Sequence, residues 1–335
     1  MKTSLLQLSM ILLVGIIVVS CGNNAPKEQV VEEKPNPIIK GPDFNSDTAY
    51  SYVEKQVSFG PRVPNTKAHL KCAEYLVKKF KTFTQDVIVQ QTKVRAYDGT
   101  VLDCKNIIAS FNPEKSDRIL ILTHWDSRHI ADHDPDPSKR KEPVLAANDA
   151  GSGVAILMEI ARQLKIKNPG IGVDLFLTDA EDYGQPEDAL NKKEDTWCLG
   201  SQYWANNPHK PGYKARFGIL LDMVGAKDAT FLKEEFSMQY APDVVNMVWE
   251  TASNLGYSKF FVNLNGGAVD DDHLYVNKII KIPTIDIITQ DPTGQYSFFP
   301  YWHTTHDDMS HIDRKTLEAV GKTILQLIYQ TTPLS

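Results

Sequence analysis

Several familiar routes to function are missing from this chain. No block of basic residues interrupts a net charge of −6, which argues against nucleic acid as a main partner. There is no glycine-rich phosphate loop and no Gly-x-Ser-x-Gly elbow, and Gly151-Ser152-Gly153 is too short to serve as either. No internal repeat and no second linker follow residue 42. Cysteine is scarce. Apart from Cys21, only Cys72, Cys104 and Cys198 remain, enough for one disulfide at most. Cys72 falls on an expected helix and Cys104 on an expected strand, so both read as small core residues. The one long apolar run, residues 5–19, is too short for a permanent membrane span.

What is present divides unevenly. Lys2, the apolar run and Val18-Val19-Ser20-Cys21 match a bacterial lipoprotein signal, cut before Cys21 and lipidated there. Residues 1–20 are then a signal peptide. Residues 21–42, rich in Asn, Pro, Glu and Lys, are a flexible tether. Residues 43–335 are expected to form a single domain, with 42% hydrophobic and 23% charged residues over the whole chain, enough for a sizeable core. The expected location is the cell envelope, anchored to the inner or outer membrane through Cys21 and facing the periplasm.

Within the domain, periodicity predicts helices over 48–59, 67–83, 151–164, 200–206, 243–255 and 313–329, another starting at 271, and the last capped by Asp313. Strands are expected at 86–94 and 101–111, paired through Asp98-Gly99, and at 119–123, 173–178, 217–221 and 284–288. Alternating strands and helices imply a three-layer α/β/α sandwich around a central mixed, mostly parallel sheet.

Six segments each end a hydrophobic run with an acid or a histidine: His124-Trp125-Asp126, Asn148-Asp149, Glu181-Asp182, Asp222, Asp270-Asp271-Asp272-His273 and Trp302-His303. Ends of parallel strands converge at one sheet edge, where open α/β folds bind ligands. Oxygen and nitrogen donors with no cysteine among them suit a catalytic Zn²⁺. Asp149, taken alone, could simply cap the following helix. Glu181 and Asp182 point to different places, which fits one metal ligand beside one general base. His303 is placed as a third ligand, with His306 and His311 as rivals that chemistry alone does not rank. His69, His129, His133 and His209 are expected at the surface. The run from Asp132 to Pro137 reads as a solvated loop, since no glycine-centred calcium loop follows it.

Seven strings appear in one order: Ser58-Phe59-Gly60-Pro61-Arg62-Val63-Pro64, Thr123-His124-Trp125-Asp126-Ser127-Arg128, Asn148-Asp149-Ala150-Gly151-Ser152-Gly153, Asp179-Ala180-Glu181-Asp182-Tyr183-Gly184, Leu221-Asp222-Met223-Val224-Gly225-Ala226, Asp271-Asp272-His273 and Trp302-His303-Thr304. In these the chain resembles bacterial members of the animal-type, zinc-dependent glutaminyl cyclases, relatives of the co-catalytic zinc aminopeptidases. The resemblance runs from about Phe44 to the C-terminus. It implies one Zn²⁺ on Asp149, Asp182 and His303, with Glu181 as general acid/base. It also implies Asp222 and Asp271 as an acid network behind the substrate amine, Trp302 as a pocket wall, and a cis peptide between Asp149 and Ala150. Trp197 is a second candidate for that wall, with core packing as its other reading. His124 and Asp126 are left as supports, or as the remnant of a second metal position. Two departures stand out: Asp182 replaces the Glu of the animal enzymes, and the charged loop 185–196 differs from theirs.

The activity so implied is conversion of N-terminal glutamine to pyroglutamate with loss of ammonia, on peptides and exported proteins. The rival is a two-zinc aminopeptidase, with His124, Asp149 and Asp222 holding a second ion. Trp125, Ser127-Arg128, Tyr183-Gly184-Gln185 and the aromatic run from Tyr296 to Trp302 resemble the cyclases.

Overall fold

The computed structural model describes residues 40–186, 188–294 and 298–333. The signal peptide and most of the tether expected from the sequence lie outside the described residues. Among those described, no helix is long and apolar enough to cross a membrane.

Elements run in the order α1 (Ser46–Val57), α2 (Lys67–Phe80), β1 (Asp86–Arg95), β2 (Val101–Phe111), β3 (Arg118–His124), α3 (Gly151–Ile166), β4 (Gly172–Thr178), α4 (Leu199–Asn206) and β5 (Gly218–Asp222). They continue through β6 (Phe231–Lys233), α5 (Glu235–Tyr240), α6 (Pro242–Asn254), β7 (Phe261–Asn265), α7 (Asp272–Tyr275), β8 (Thr284–Ile288) and α8 (Arg314–Gln330). A π-helical turn, Val276–Ile280, extends α7. The main sheet has the order β1-β2-β4-β3-β5-β8. Pairs β4–β3, β3–β5 and β5–β8 are parallel, while β1–β2 and β2–β4 are antiparallel. This is the expected mixed sheet with helices on both faces.

The core strands β3, β4 and β5 are apolar without alternation because both their faces are covered. Ile119 and Ile121 of β3 join the larger core, with α1, α3 and α8. Leu120 and Leu122 face the smaller core with Phe176, Trp204 and Val276. Hence every residue of these three strands is buried. Asn45, Thr66 and Asp313 cap α1, α2 and α8 with their side chains. Cys72, Cys104 and Cys198 are all buried and free.

Two short strands (β6 and β7) and α5 escaped sequence reading, since three to six residues carry no measurable period. β6 and α5 pack beside β8, and β7 pairs with β6. Parallel strands β3, β4, β5 and β8 all end at one edge, with His124, Thr178, Asp222 and Ile288 as their last residues.

The small residues after Asp149 let α3 begin against that edge. A Cβ on Gly153 would lie 2.2 Å from Thr123 Oγ1 and 2.7 Å from the Leu221 carbonyl oxygen. Ser152 Oγ donates to the Asn148 carbonyl and accepts from Val224 N–H. Gly153→Ala must therefore push α3 away from β3 and β5. A loss of about 1–3 kcal/mol in unfolding free energy is expected, read by denaturant titration.

Candidate metal centre and pocket

The end of β3 delivers His124, and the chain continues into Asp126. Asp126 is fully buried, and its two oxygens accept the backbone N–H groups of Glu181 (3.2 Å) and Asp182 (3.2 Å). Asp307 does the same for the other acidic segment. Its oxygens take the N–H groups of Asn148 (2.8 Å) and Asp149 (3.0 Å). Two carboxylates thus hold two loops by their backbones, which leaves the side chains of Asp149, Glu181 and Asp182 free of that duty. The Asp149–Ala150 peptide is cis, as expected. Asp149 makes no cap for α3, whose N-cap is Ala150 with no side-chain bond.

Arg62, from the Phe59-Gly60-Pro61-Arg62 string, is fully buried and braces this region. Its guanidinium donates to the carbonyls of Trp125, Leu145 and Ala146. Backbone turns at the site are tight: Ala180, Met223 and His303 all adopt left-handed φ, at 55°, 47° and 54°.

Asp149, Asp182 and His303 meet in one buried trio, each offering an atom within 4.8 Å of the others. His303 Nε2 lies 3.1 Å from Asp182 Oδ1 and 3.7 Å from Asp149 Oδ2. Both Asp182 carboxylate oxygens are buried with no hydrogen-bond partner in the structure. Burial, and then the charge of Asp149, push the Asp182 carboxyl well above its ordinary pKa. Two carboxylates this close, with both oxygens of Asp182 unpartnered, fit a cation. Two oxygens and one imidazole nitrogen suit Zn²⁺ with a position left open. A second trio, His124, Asp149 and Asp222, lies alongside. There His124 Nε2 is 2.9 Å from Asp149 Oδ1 and 3.3 Å from Asp222 Oδ1.

Glu181 does not join the first trio. It turns into a cleft of about 910 Å³, with Asp222, Asp271, Trp197, Trp302 and His303 also on its wall. Burial raises the Glu181 carboxyl well above its usual range, His124 opposes that, and Asp271 and Asp182 add to it. Asp271 is raised in the same way, by burial and then by Asp222 and Asp272. Burial and Asp149 lift Asp222 to about 6. Trp302 stacks on His303, with ring centroids 3.9 Å apart. Trp197 lies nearly parallel to His303 at 5.8 Å and has the Arg128 guanidinium over its ring, 4.4 Å from the centroid. Packing and pocket are thus both true of Trp197, whose ring also lies where a Cβ on Gly184 would stand.

All ten residues singled out in the sequence gather here. His306 is exposed and His311 stacks on Tyr301, so neither enters a candidate metal group among the described residues. Two expectations fail. His69 is buried, not superficial: its Nε2 is 2.9 Å from both oxygens of Asp179, and its ring stacks on Trp125. The loop after Asp132 is not wholly solvated either. Asp134 is fully buried and accepts from the Thr305 N–H and hydroxyl, which ties that loop to the His303 segment.

Sequence reading also passed over Arg128, Asp307 and Cys198. Arg128 is buried, pairs with both oxygens of Asp132, and donates to the carbonyls of Asp182 and Gly184. Only its place in a matched string hinted at it. Asp307 follows His303 closely in an acid-rich run and gave no sign of facing Asn148.

The profile of peptidase family M28 matches residues 106–328. A glutaminyl cyclase from Tannerella forsythia is 55% identical, with TM-score 0.84, over 86% of this chain and 99% of that one. A structure from Parabacteroides distasonis described as a Zn-dependent exopeptidase is also 55% identical, with TM-score 0.85 and the same coverage. The glutaminyl-peptide cyclotransferase of Bos taurus is 23% identical over 303 residues, 79% of this chain and 77% of that protein.

Glu234 anchors the segment that leads to Asp271. It accepts from the N–H groups of Phe236, Ser237 and Val269 and lies 3.2 Å from His273 Nε2. Burial would raise its pKa, but His273 and Ser237 outweigh that and bring it down to about 2. A depressed carboxyl stabilises the fold above its unfolded value of about 4.3, and the contribution disappears as pH falls toward 2. Glu234→Gln should therefore melt well below the parent at pH 6, with the gap narrowing by pH 3. An equal gap at both pH values would contradict this.

Proposed function

The chain belongs to peptidase family M28, and on that footing we propose that it is a zinc-dependent glutaminyl cyclase that turns N-terminal glutamine into pyroglutamate. The observation that carries the mechanism is the divergence of two neighbours. Asp182 turns into the trio with Asp149 and His303, while Glu181 turns into the cleft beside Asp271.

Asp149, Asp182 and His303 would hold one Zn²⁺. Bound there, the ion supplies Lewis-acid polarisation of the glutamine side-chain carbonyl. Glu181 takes a proton from the substrate α-amine as that nitrogen bonds to the side-chain carbonyl carbon, Cδ. The same carboxyl then returns the proton to the side-chain nitrogen as its C–N bond breaks and ammonia leaves. Burial holds the Glu181 carboxyl above the ordinary range, which favours a group that returns the proton it has accepted. Asp222 and Asp271 flank the amine, and Trp302 and Trp197 wall the glutamine side chain.

The second reading is a two-zinc aminopeptidase, favoured by the trio of His124, Asp149 and Asp222. A peptide assay separates the two. With a Gln-initiated peptide, ammonia without cleavage is expected, and Leu- or Ala-initiated peptides should stay intact. Free amino acids from the latter would overturn the cyclase reading, as would two zinc ions per chain by elemental analysis in protein that cleaves them. Glu181→Gln should lower turnover about 10²–10⁴-fold with zinc content unchanged.

We also propose that the chain is lipid-anchored at Cys21 in the cell envelope, facing the periplasm, where exported proteins with a newly exposed N-terminal glutamine would be its substrates. The Val18-Val19-Ser20-Cys21 string supports this. Mapping the N-termini of exported proteins with and without the gene should show pyroglutamate falling in its absence; no change would count against it.

A further inference from the structure

We propose that Cys198 is a positioning residue for the general base: its thiol hydrogen holds one oxygen of the Glu181 carboxylate and leaves the other to receive the substrate's proton. This rests on the cyclase reading.

Cys198 is fully buried, with Sγ 3.3 Å from Glu181 Oε1 and 4.0 Å from Asp271 Oδ1. Among the described residues it is the nearest side-chain donor to that carboxylate, since His124 Nδ1 is 3.9 Å from Oε2. The backbone makes a second link. Cys198 N–H donates to the Glu181 carbonyl at 3.0 Å, and Leu199 N–H to the Ala180 carbonyl at 3.1 Å. The charged loop after Asp182 is therefore closed at its base by a residue tied twice to Glu181.

The position itself argues for a side chain with a task. Cys198 has φ 56°, a conformation that favours glycine, yet it carries a thiol. It is the N-cap of α4 but spends no side-chain bond on that helix. The thiol is directed at the acids. Burial, then Glu181, Asp272 and Asp271, push its pKa well above the ordinary value, so it stays a neutral donor and is no nucleophile. A buried neutral donor can fix a carboxylate rotamer without adding charge to the site, and a base held in one rotamer spends more of its time in productive geometry.

The test compares zinc-loaded Cys198→Ala, Cys198→Gly and Cys198→Ser with the parent on a Gln-initiated peptide. Glycine accepts the left-handed backbone, so it guards against misfolding of the alanine variant. Loss of one weak hydrogen bond should lower kcat about five- to tenfold in the alanine and glycine variants, with KM and zinc content within twofold of the parent. The serine variant, which keeps a donor, should recover most of kcat. Equal rates in all four proteins would overturn the proposal. So would an equal fall in all three variants together with KM or zinc content, which marks packing alone. An inactive parent would instead overturn the cyclase reading and this inference with it. The parent offers one more readout: the infrared S–H band that disappears in Cys198→Ser should lie below that of a free thiol, and a band at the free-thiol position would overturn the donor role.

Discussion

A knot of buried carboxylates at one sheet edge must be held against its own repulsion, and much of the structure serves that end. Asp149, Glu181, Asp182, Asp222, Asp271 and Asp272 are each at most 8% exposed. In a poorly polarisable surrounding, like charges so close cost more than they would in water. The upward shifts of Glu181, Asp182 and Asp271 come first from burial and then from these neighbouring acids. A cation held by Asp149, Asp182 and His303 would answer part of that cost. His124, between Asp149 and Asp222, answers another part: burial works against its charge, but Asp126, Asp149 and Asp222 outweigh it and push its pKa well up.

The loops at this edge are fixed mainly through backbone N–H groups. Asp126 grips Glu181 and Asp182, Asp307 grips Asn148 and Asp149, and Cys198 N–H grips the Glu181 carbonyl. Fixing the main chain leaves both Asp182 oxygens without a hydrogen-bond partner and one Glu181 oxygen clear of the Cys198 thiol. Arg128 likewise fixes the main chain, its guanidinium holding the carbonyls of Asp182 and Gly184 while its charge faces Asp132 and Asp182. Rigid strands supply the platform, and buried polar pairs supply the aim.

The long strands and helices were legible because their apolar content exceeds what a short loop could hide. Strands 119–123 and 173–178 read as buried runs, and they are sandwiched between helices on both faces. The short β6, β7 and α5 were not legible, being too brief to show a period. His69 misled for a different reason. Its burial depends on Asp179 and on the Trp125 ring, and neither partner is near it in the chain. Cys198 was invisible as a partner of Glu181, because a lone cysteine carries no spacing signal.

The sequence by itself determined which donors exist, in which order, and that His124, Asp222 and the Glu181-Asp182 pair end or closely follow strands of a mixed sheet. It set Glu181 next to Asp182, so one strand end had to send two carboxylates in two directions. Only the tertiary structure decided which groups meet. Strand order brings β3, β4, β5 and β8 to a common edge, and a contact such as Asp307 to Asn148 joins residues 159 positions apart. Such contacts depend on distance through space after packing, and local propensity carries no record of that distance.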